Sequence, residues 1–368
     1  MKSKEETNIV LAFKQSRDKI IKIDDYIAGK IQKMLDEKGF FIMSLTHRVK
    51  TVESLEGKVR KHSGDYKSIY DITDLCGGRI ICYFLDTVDD IAKALEDIFD
   101  IDYGKSVNKA ELIKATEFGY ISLHYICRLK AEDILKVKGT EDTFDYESFE
   151  FEVQIKTVLQ HTWAEIEHDL GYKSEFGVPR PIRRDFSRIA GLLEIADNQF
   201  MQLRDNSRKY CDDIRRRIDN NEADDVPIDR VSLSEYMFRN KDMSEFFKQI
   251  TKITGAECEL ISPESYIMQL EYLGVDTIGE LVDLFRRNKK IALEIIVSKI
   301  VDLELDIFSS NMVLRFICHA HMVRNNYNIN QIERFVSMAI SDSKRARSQA
   351  ESILKLRELI EAENSDDK

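Results

Sequence analysis

The chain has 368 residues, of which 43% are hydrophobic and 33% are charged, and only four are prolines. This length is sufficient for two domains with separate cores, and the scarcity of proline favours long helices. The formal net charge of −11 argues against a protein that coats nucleic acids non-specifically, although it leaves room for a local basic pocket.

The cysteine pattern and the absence of long apolar runs predict the compartment. The six cysteines are scattered, with no CxxC pair, and the N-terminus carries no signal-like apolar segment. This usage is typical of reduced thiols and predicts a cytoplasmic protein. No apolar run approaches the ~18 residues that a membrane span needs, so we expect no membrane association.

The first patterned segment, residues 4–38, has apolar residues at helical spacing and predicts one or two helices that end at Gly39. A strand is predicted over 40–50, and Thr51 is a suitable N-cap for a helix that begins at Val52. Four polar residues straddle this strand-to-helix junction: Arg48, Lys50, Ser54 and Lys58. Because a helix N-terminus beside cations suits phosphate groups, the junction is a candidate phosphate site, although a solvated helix face is the plainer explanation for Lys58.

A glycine pair precedes the next predicted strand, which runs from Arg79 to Phe84. Gly77 and Gly78 are expected to turn the backbone sharply just before this strand, with Asp74 at the turn. An acid at such a turn caps the turn about as often as it has another role.

A helix over 87–100, a polar loop over 104–118 and a strand over 120–129 are predicted next. Alternation along this strand places three polar side chains on one face: Tyr120, Ser122 and His124.

The stretch 147–173 changes its period halfway. Its first part alternates apolar residues with a polar row, which consists of Glu150, Glu152, Gln154 and Lys156. A strand here would bury one face and present this row on the other, and from Val158 the apolar spacing becomes helical. A polar row on a strand is usually a solvated face, but a strand that carries acids and runs directly into a helix also suits the edge of an active site.

Four motifs in this order resemble those of the RelA/SpoT-type alarmone synthetases. They are R-x-K-x-x-x-S-x-x-x-K from Arg48, D-x-x-G-x-R from Asp74, G-Y-x-S-x-H from Gly119, and EVQIKT from Glu152 with a following E-H-x-L-x-Y-K. The resemblance covers roughly 45–173. It implies a nucleotidyltransferase-like α/β (α+β) fold, with a mixed β-sheet flanked by helices, and the transfer of pyrophosphate from ATP to the 3′-hydroxyl of GDP or GTP.

The resemblance also implies a role for each matching residue. Asp74 and Glu152 are implied to be catalytic and to hold Mg²⁺. The residues implied to bind the ATP donor are Arg48, Lys50, Ser54, Lys58 and Arg79. The residues implied to bind the acceptor are Tyr120, Ser122, His124, Gln154 and Lys156.

Two departures from the family pattern concern the acceptor. Phe118 stands where the family often has Asn, and Ile121 stands where it often has Arg or Gln. The same chemistry on the 3′ end of tRNA, or on an adenine nucleotide, therefore stays an alternative to a guanine-nucleotide acceptor.

Two other kinds of metal site were considered. His161, Glu165 and His168 have the spacing found in di-iron helix bundles, but such a site needs a second ExxH segment, which this sequence lacks. The hydrolase domain of long family members needs an N-terminal His–Asp cluster, and no histidine precedes His47. We therefore expect a chain with synthetase activity only.

An acidic stretch at 220–227 predicts a boundary between a synthetase domain, residues 1–225, and a second domain, residues 226–368. The second domain shows no repeat and no catalytic motif, and it is predicted to be mostly helical. The predicted helices cover 234–254, 264–273, 277–287, 289–305, 311–323 and 342–362. Either this domain controls the synthetase, through a partner or as a homo-oligomer, or it is a helical buttress.

Overall fold

The computed structural model describes residues 4–108, 122–139, 143–172 and 180–356. The chain forms two compact units, residues 1–204 and residues 205–368. They divide within one long helix, Arg180–Asp219, ahead of the predicted boundary at 225–226, which stays a prediction.

The first unit is built on a six-stranded mixed sheet. Its strands β1 to β6 are, in chain order, Ile42–Val49, Cys76–Cys82, Asp100–Ile101, Val107–Asn108, Leu123–Arg128 and Phe151–Thr157. They are arranged as β1-β2-β6-β5-β3, with β4 paired to β5. β2 and β6 are parallel, and the other described pairs are antiparallel. The predicted mixed sheet is confirmed.

Helices flank this sheet. Helices α1 to α6 are Lys4–Glu37, Val52–Lys61, Leu85–Ile98, Ala131–Val137, Val158–Tyr172 and Arg180–Asp219. α1 and α3 pack apolar residues such as Ile31 and Leu95 into one core with Ile80 of β2 and Val153 of β6. Thr51 caps α2 as predicted, since its Oγ1 accepts a hydrogen bond from the Ser54 N–H at 3.2 Å.

The glycine pair does not turn the chain before the strand, so that part of the prediction is wrong. Gly77 and Gly78 lie inside β2, which begins one residue earlier, at Cys76. Gly77 lies beside Glu152 of β6, and a Cβ atom on Gly77 would be 2.0 Å from the Glu152 carbonyl oxygen. Glycine is required there because two parallel strands approach closely.

The second unit is largely helical, as predicted. Its elements are α7 Arg230–Arg239, α8 Lys241–Thr254, β7 Glu257–Glu259, α9 Ile267–Tyr272, α10 Ile278–Asp302, β8 Ile307–Ser309, α11 Ser310–Arg324, α12 Ile329–Ser337 and α13 Ser343–Lys355. The stretch 220–227 is packed into this unit and is not a solvated linker. Ala223 and Val226 are buried, and the Val226 carbonyl accepts a hydrogen bond from the Ile278 N–H at 2.9 Å.

Two successive segments of the second unit repeat one order of elements, which we did not recognise in the sequence. Residues 229–273 form two helices, a strand and a helix, and residues 277–324 follow the same order with the first two helices fused into α10. The strands of the two segments, β7 and β8, pair in parallel. Asn240 separates α7 from α8 and caps α8, whereas the Asn288 side chain donates to the Leu284 carbonyl within the continuous α10.

His319 makes the second unit sensitive to acid. Its ring is buried and lies edge-on to Phe316 and Phe335. Burial lowers the pKa of His319 to about 3, and the charge of Arg315 acts in the same direction. An unfolded histidine titrates near pH 6.5, so the stability linked to the neutral ring is present above that pH and is lost as the pH falls towards the folded value.

We expect His319→Leu to remove this pH dependence. Between pH 6.5 and pH 5 the wild-type chain should lose about 2 kcal/mol of unfolding free energy through His319, and the variant should not. Urea unfolding of both full chains at the two pH values measures the difference. An equal loss in the two proteins would contradict the assignment.

The described residues contain no helix that is both long enough and apolar enough to cross a bilayer. All six cysteines are unpaired, as the sequence predicted. Cys318 is buried, and burial raises its pKa to about 12, so it stays a thiol at neutral pH. The cytoplasmic location itself stays a prediction.

Candidate active site

Polar side chains of neighbouring strands share one face of the first unit's sheet. The register places Arg79 of β2 beside Gln154 of β6, and Gln154 opposite His124 of β5. Glu152, two residues before Gln154, shares its face because side chains alternate along a strand. Residues from three distant parts of the sequence are thus brought together.

A cavity of about 400 Å³ opens on this face. Seven of the predicted site residues line it: Arg48, Lys50, Ser54, Asp74, Arg79, Glu152 and Gln154. They come from the end of β1, the start of α2, the loop before β2, and strands β2 and β6. Predicted donor and metal residues therefore line the same cavity.

Two lysines hold the Asp74 carboxylate. Lys50 Nζ donates to Oδ2 at 2.8 Å, and Lys58 Nζ donates to Oδ1 at 2.7 Å. Burial alone would raise the pKa of Asp74, but the hydrogen bonds and charges of the two lysines outweigh burial and hold the pKa below its usual value. The carboxylate is therefore ionised at neutral pH, and Lys58 acts through Asp74 without lining the cavity.

Glu152 lies between His124 and Gln154. His124 Nδ1 is 2.6 Å from Oε1, and Gln154 Nε2 donates to Oε2 at 3.0 Å. Burial would raise the pKa of Glu152, but its contact with His124 lowers the pKa below the usual value, while the negative charge of Asp74 opposes that lowering. The two ionised carboxylates line the same cavity, and their hard oxygen atoms are the ligands that Mg²⁺ prefers.

Three predicted acceptor residues do not line the cavity: Ser122, His124 and Lys156. Within the described parts of the chain, Ser122 Oγ and His124 Nε2 are buried and have no hydrogen-bond partner. Lys156 is buried near the end of β6. Tyr120 lies outside the described residues.

Arg79 pairs with an acid that the sequence analysis did not place in the site. Its Nη1 donates to Oε1 of Glu165 on α5 at 2.8 Å, and His161 Nδ1 is 3.6 Å from the same oxygen. His161 and Glu165 are four residues apart, so both lie on one face of α5. The same spacing occurs in metal sites, whereas in the structure Glu165 forms an ion pair with Arg79.

Residues 47–176 match the family model described as the region found in RelA/SpoT proteins. This part of the chain is therefore a RelA/SpoT-like region. The strands β2, β5 and β6 and the cavity residues named above lie within the matched RelA/SpoT region.

Two relatives of this RelA/SpoT region come from Bacillus subtilis (strain 168). GTP pyrophosphokinase YjbM is 29% identical over 161 residues, which are 44% of this chain and 71% of YjbM. GTP pyrophosphokinase YwaC is 26% identical over 160 residues, which are 43% of this chain and 71% of YwaC. The predicted enzyme class, a pyrophosphokinase, agrees with both names.

Among solved structures, the small alarmone synthetase 1 from Bacillus subtilis is similar to this chain with a TM-score of 0.44 and 20% identity. The match covers 54% of this chain and 98% of that protein. The RelA/SpoT match ends at residue 176, so the whole second half of the chain lies outside it.

Proposed function

We propose that the protein is a GTP pyrophosphokinase, which transfers a pyrophosphoryl group from ATP to the 3′-hydroxyl of GDP or GTP and releases AMP. One observation carries the proposal: two ionised carboxylates and three of the cations implied to bind the donor, Arg48, Lys50 and Arg79, line a single cavity. The names of the two relatives support it.

The cavity has the charges that this transfer requires. Pyrophosphoryl transfer needs cations that spread the charge of the moving group, and a deprotonated hydroxyl in line with the attacked phosphorus. Arg48, Lys50 and Arg79 supply cations along the cavity. Mg²⁺ held by Asp74 and Glu152 would neutralise the charge of the donor phosphates.

Glu152 would also take the proton of the attacking hydroxyl. It is ionised and held in position by His124 and Gln154. A positioned base contributes about 10²–10⁴-fold to a rate.

A competition assay tests both the reaction and the acceptor. The purified full chain is incubated with ATP labelled at the β-phosphate, Mg²⁺, and a mixture of GDP, GTP and deacylated tRNA. We expect the label at the 3′ position of the guanosine nucleotides. Label on tRNA or on a second adenine nucleotide would show that the acceptor is different and the chemistry is the same. If no label is transferred while a known synthetase is active in parallel, the proposal is overturned.

A further inference from the structure

Glu165 places a hydrogen-bond acceptor beside Arg79, one of the cations implied to bind the ATP donor. Arg79 lines the cavity, and its Nη1 donates to Glu165 Oε1 at 2.8 Å. A hydrogen bond to the edge of a guanidinium leaves both faces of that planar group open to a stacked base. The Glu165 side chain is 55% exposed, so its carboxylate is accessible to a ligand.

His161 leaves the Glu165 carboxylate free to accept another hydrogen bond. Its Nδ1 is 3.6 Å from Glu165 Oε1, which is too far for a hydrogen bond. Burial lowers the pKa of His161, and the charges of Arg79 and Lys156 lower it further, so the ring is neutral at pH 7. A carboxylate has about four lone-pair sites, and the contacts of Glu165 in the described chain use few of them.

Adenine and guanine, the two bases that the proposed enzyme must distinguish, differ at position 6 of the purine ring. Adenine carries an amino group there, which donates a hydrogen bond, and guanine carries a carbonyl oxygen, which accepts one. A carboxylate attracts the amino group and repels the carbonyl oxygen. The side chain of Glu165 is therefore of the chemical type that favours adenine.

We propose that Glu165 selects a 6-aminopurine as the base of the donor nucleotide, by accepting a hydrogen bond from the exocyclic amine of a base stacked on Arg79. The inference rests on the proposed function and deepens it. It gives a physical reason why ATP serves as donor in a cavity that also admits a guanine nucleotide as acceptor.

A thermodynamic double-mutant cycle tests the contact, with one change made in the protein and the other in the nucleotide. Binding of ATP and of purine riboside triphosphate, which lacks the 6-amino group, is measured by calorimetry with Mg²⁺ and without acceptor. In the wild-type chain we expect loss of the amino group to weaken binding about tenfold, the value of one hydrogen bond. In Glu165→Ala the two nucleotides should bind within about twofold of each other. Asp90→Ala removes an exposed acid on α3 that does not line the cavity, and it should keep the wild-type ratio.

Each alternative gives a different result. If Glu165 only positions Arg79, the alanine variant will bind both nucleotides more weakly and keep their ratio, which would overturn the inference. Equal affinity of the wild-type chain for the two nucleotides, or no binding of either, would overturn it too. The binding ratios could be as predicted while no acceptor receives a pyrophosphoryl group. That result would overturn the proposed reaction and leave the inference about Glu165 standing.

Turnover gives a second readout. Glu165→Gln replaces one oxygen with an amide that donates to a carbonyl, so the ratio of kcat/KM for ATP over GTP as donor should fall about tenfold or more. An unchanged ratio would contradict the role of Glu165 in selection.

Discussion

Glu152→Gln is expected to lower pyrophosphoryl transfer by about 10²–10⁴-fold and to leave the fold intact. Glutamine keeps the size of the side chain and an oxygen that can accept from His124. It removes the negative charge that would bind Mg²⁺ and accept a proton. The lost charge-assisted hydrogen bond should cost about 1–2 kcal/mol of unfolding free energy, which a folded domain tolerates.

Steady-state rates, Mg²⁺ titrations and urea unfolding of the wild-type chain and the variant measure these effects. Asp74→Asn should also lower the rate of pyrophosphoryl transfer about 100-fold or more. If both acids hold the metal, the Mg²⁺ concentration that gives the half-maximal rate should rise in both variants. Asp90→Asn, an exposed acid on α3, is the matched control and should behave as wild type. Near-wild-type turnover in Glu152→Gln would remove this residue from the site.

The sequence predicted those parts of the site that follow from local patterns. The alternation in β6 put Glu152 and Gln154 on one face, and the Thr51 cap put Lys50 and Ser54 at a strand-to-helix junction. Their meeting with Asp74 in one cavity was predicted only through the family resemblance, since periodicity does not show which strands are neighbours.

The pairings across the cavity could not be predicted from local patterns. Arg79 and Glu165 are 86 residues apart, and His124 and Glu152 are 28 apart. Both pairs exist because β2, β5 and β6 are neighbours in the sheet and α5 continues from β6. The i, i+4 spacing of His161 and Glu165 was visible in the sequence, but a spacing alone does not identify the partner of a side chain.

Local sequence patterns also failed to predict where some helices of the second unit begin and end. The segment predicted as one helix over 234–254 is broken at Asn240, and the helices predicted over 277–287 and 289–305 are continuous through Asn288. Asparagine can cap a helix or remain within one, and packing decides between the two. Helix α12, Ile329–Ser337, was missed.

Gly77→Ala is expected to damage both stability and activity, because the glycine permits the contact between β2 and β6. A Cβ atom at this position would be 2.0 Å from the Glu152 carbonyl oxygen and 3.0 Å from its carbonyl carbon. These are backbone atoms of a central strand, so the strands must move apart. We expect a loss of about 1–3 kcal/mol of unfolding free energy. The rate should fall about tenfold or more, because the shift displaces the Glu152 carboxylate.

The neighbouring glycine provides the control. A Cβ atom on Gly78 would meet its closest neighbour, the Ile31 Cδ1 atom, at 3.6 Å, which is ordinary van der Waals contact. Gly78→Ala should therefore keep nearly wild-type stability and activity, although it places the same methyl group in the same strand. Urea unfolding and transfer rates of the two variants, measured side by side, give the comparison. If Gly77→Ala proved as stable and as active as Gly78→Ala, the close approach of β2 and β6 would not constrain the position of Glu152, and the geometric account of this cavity would be wrong.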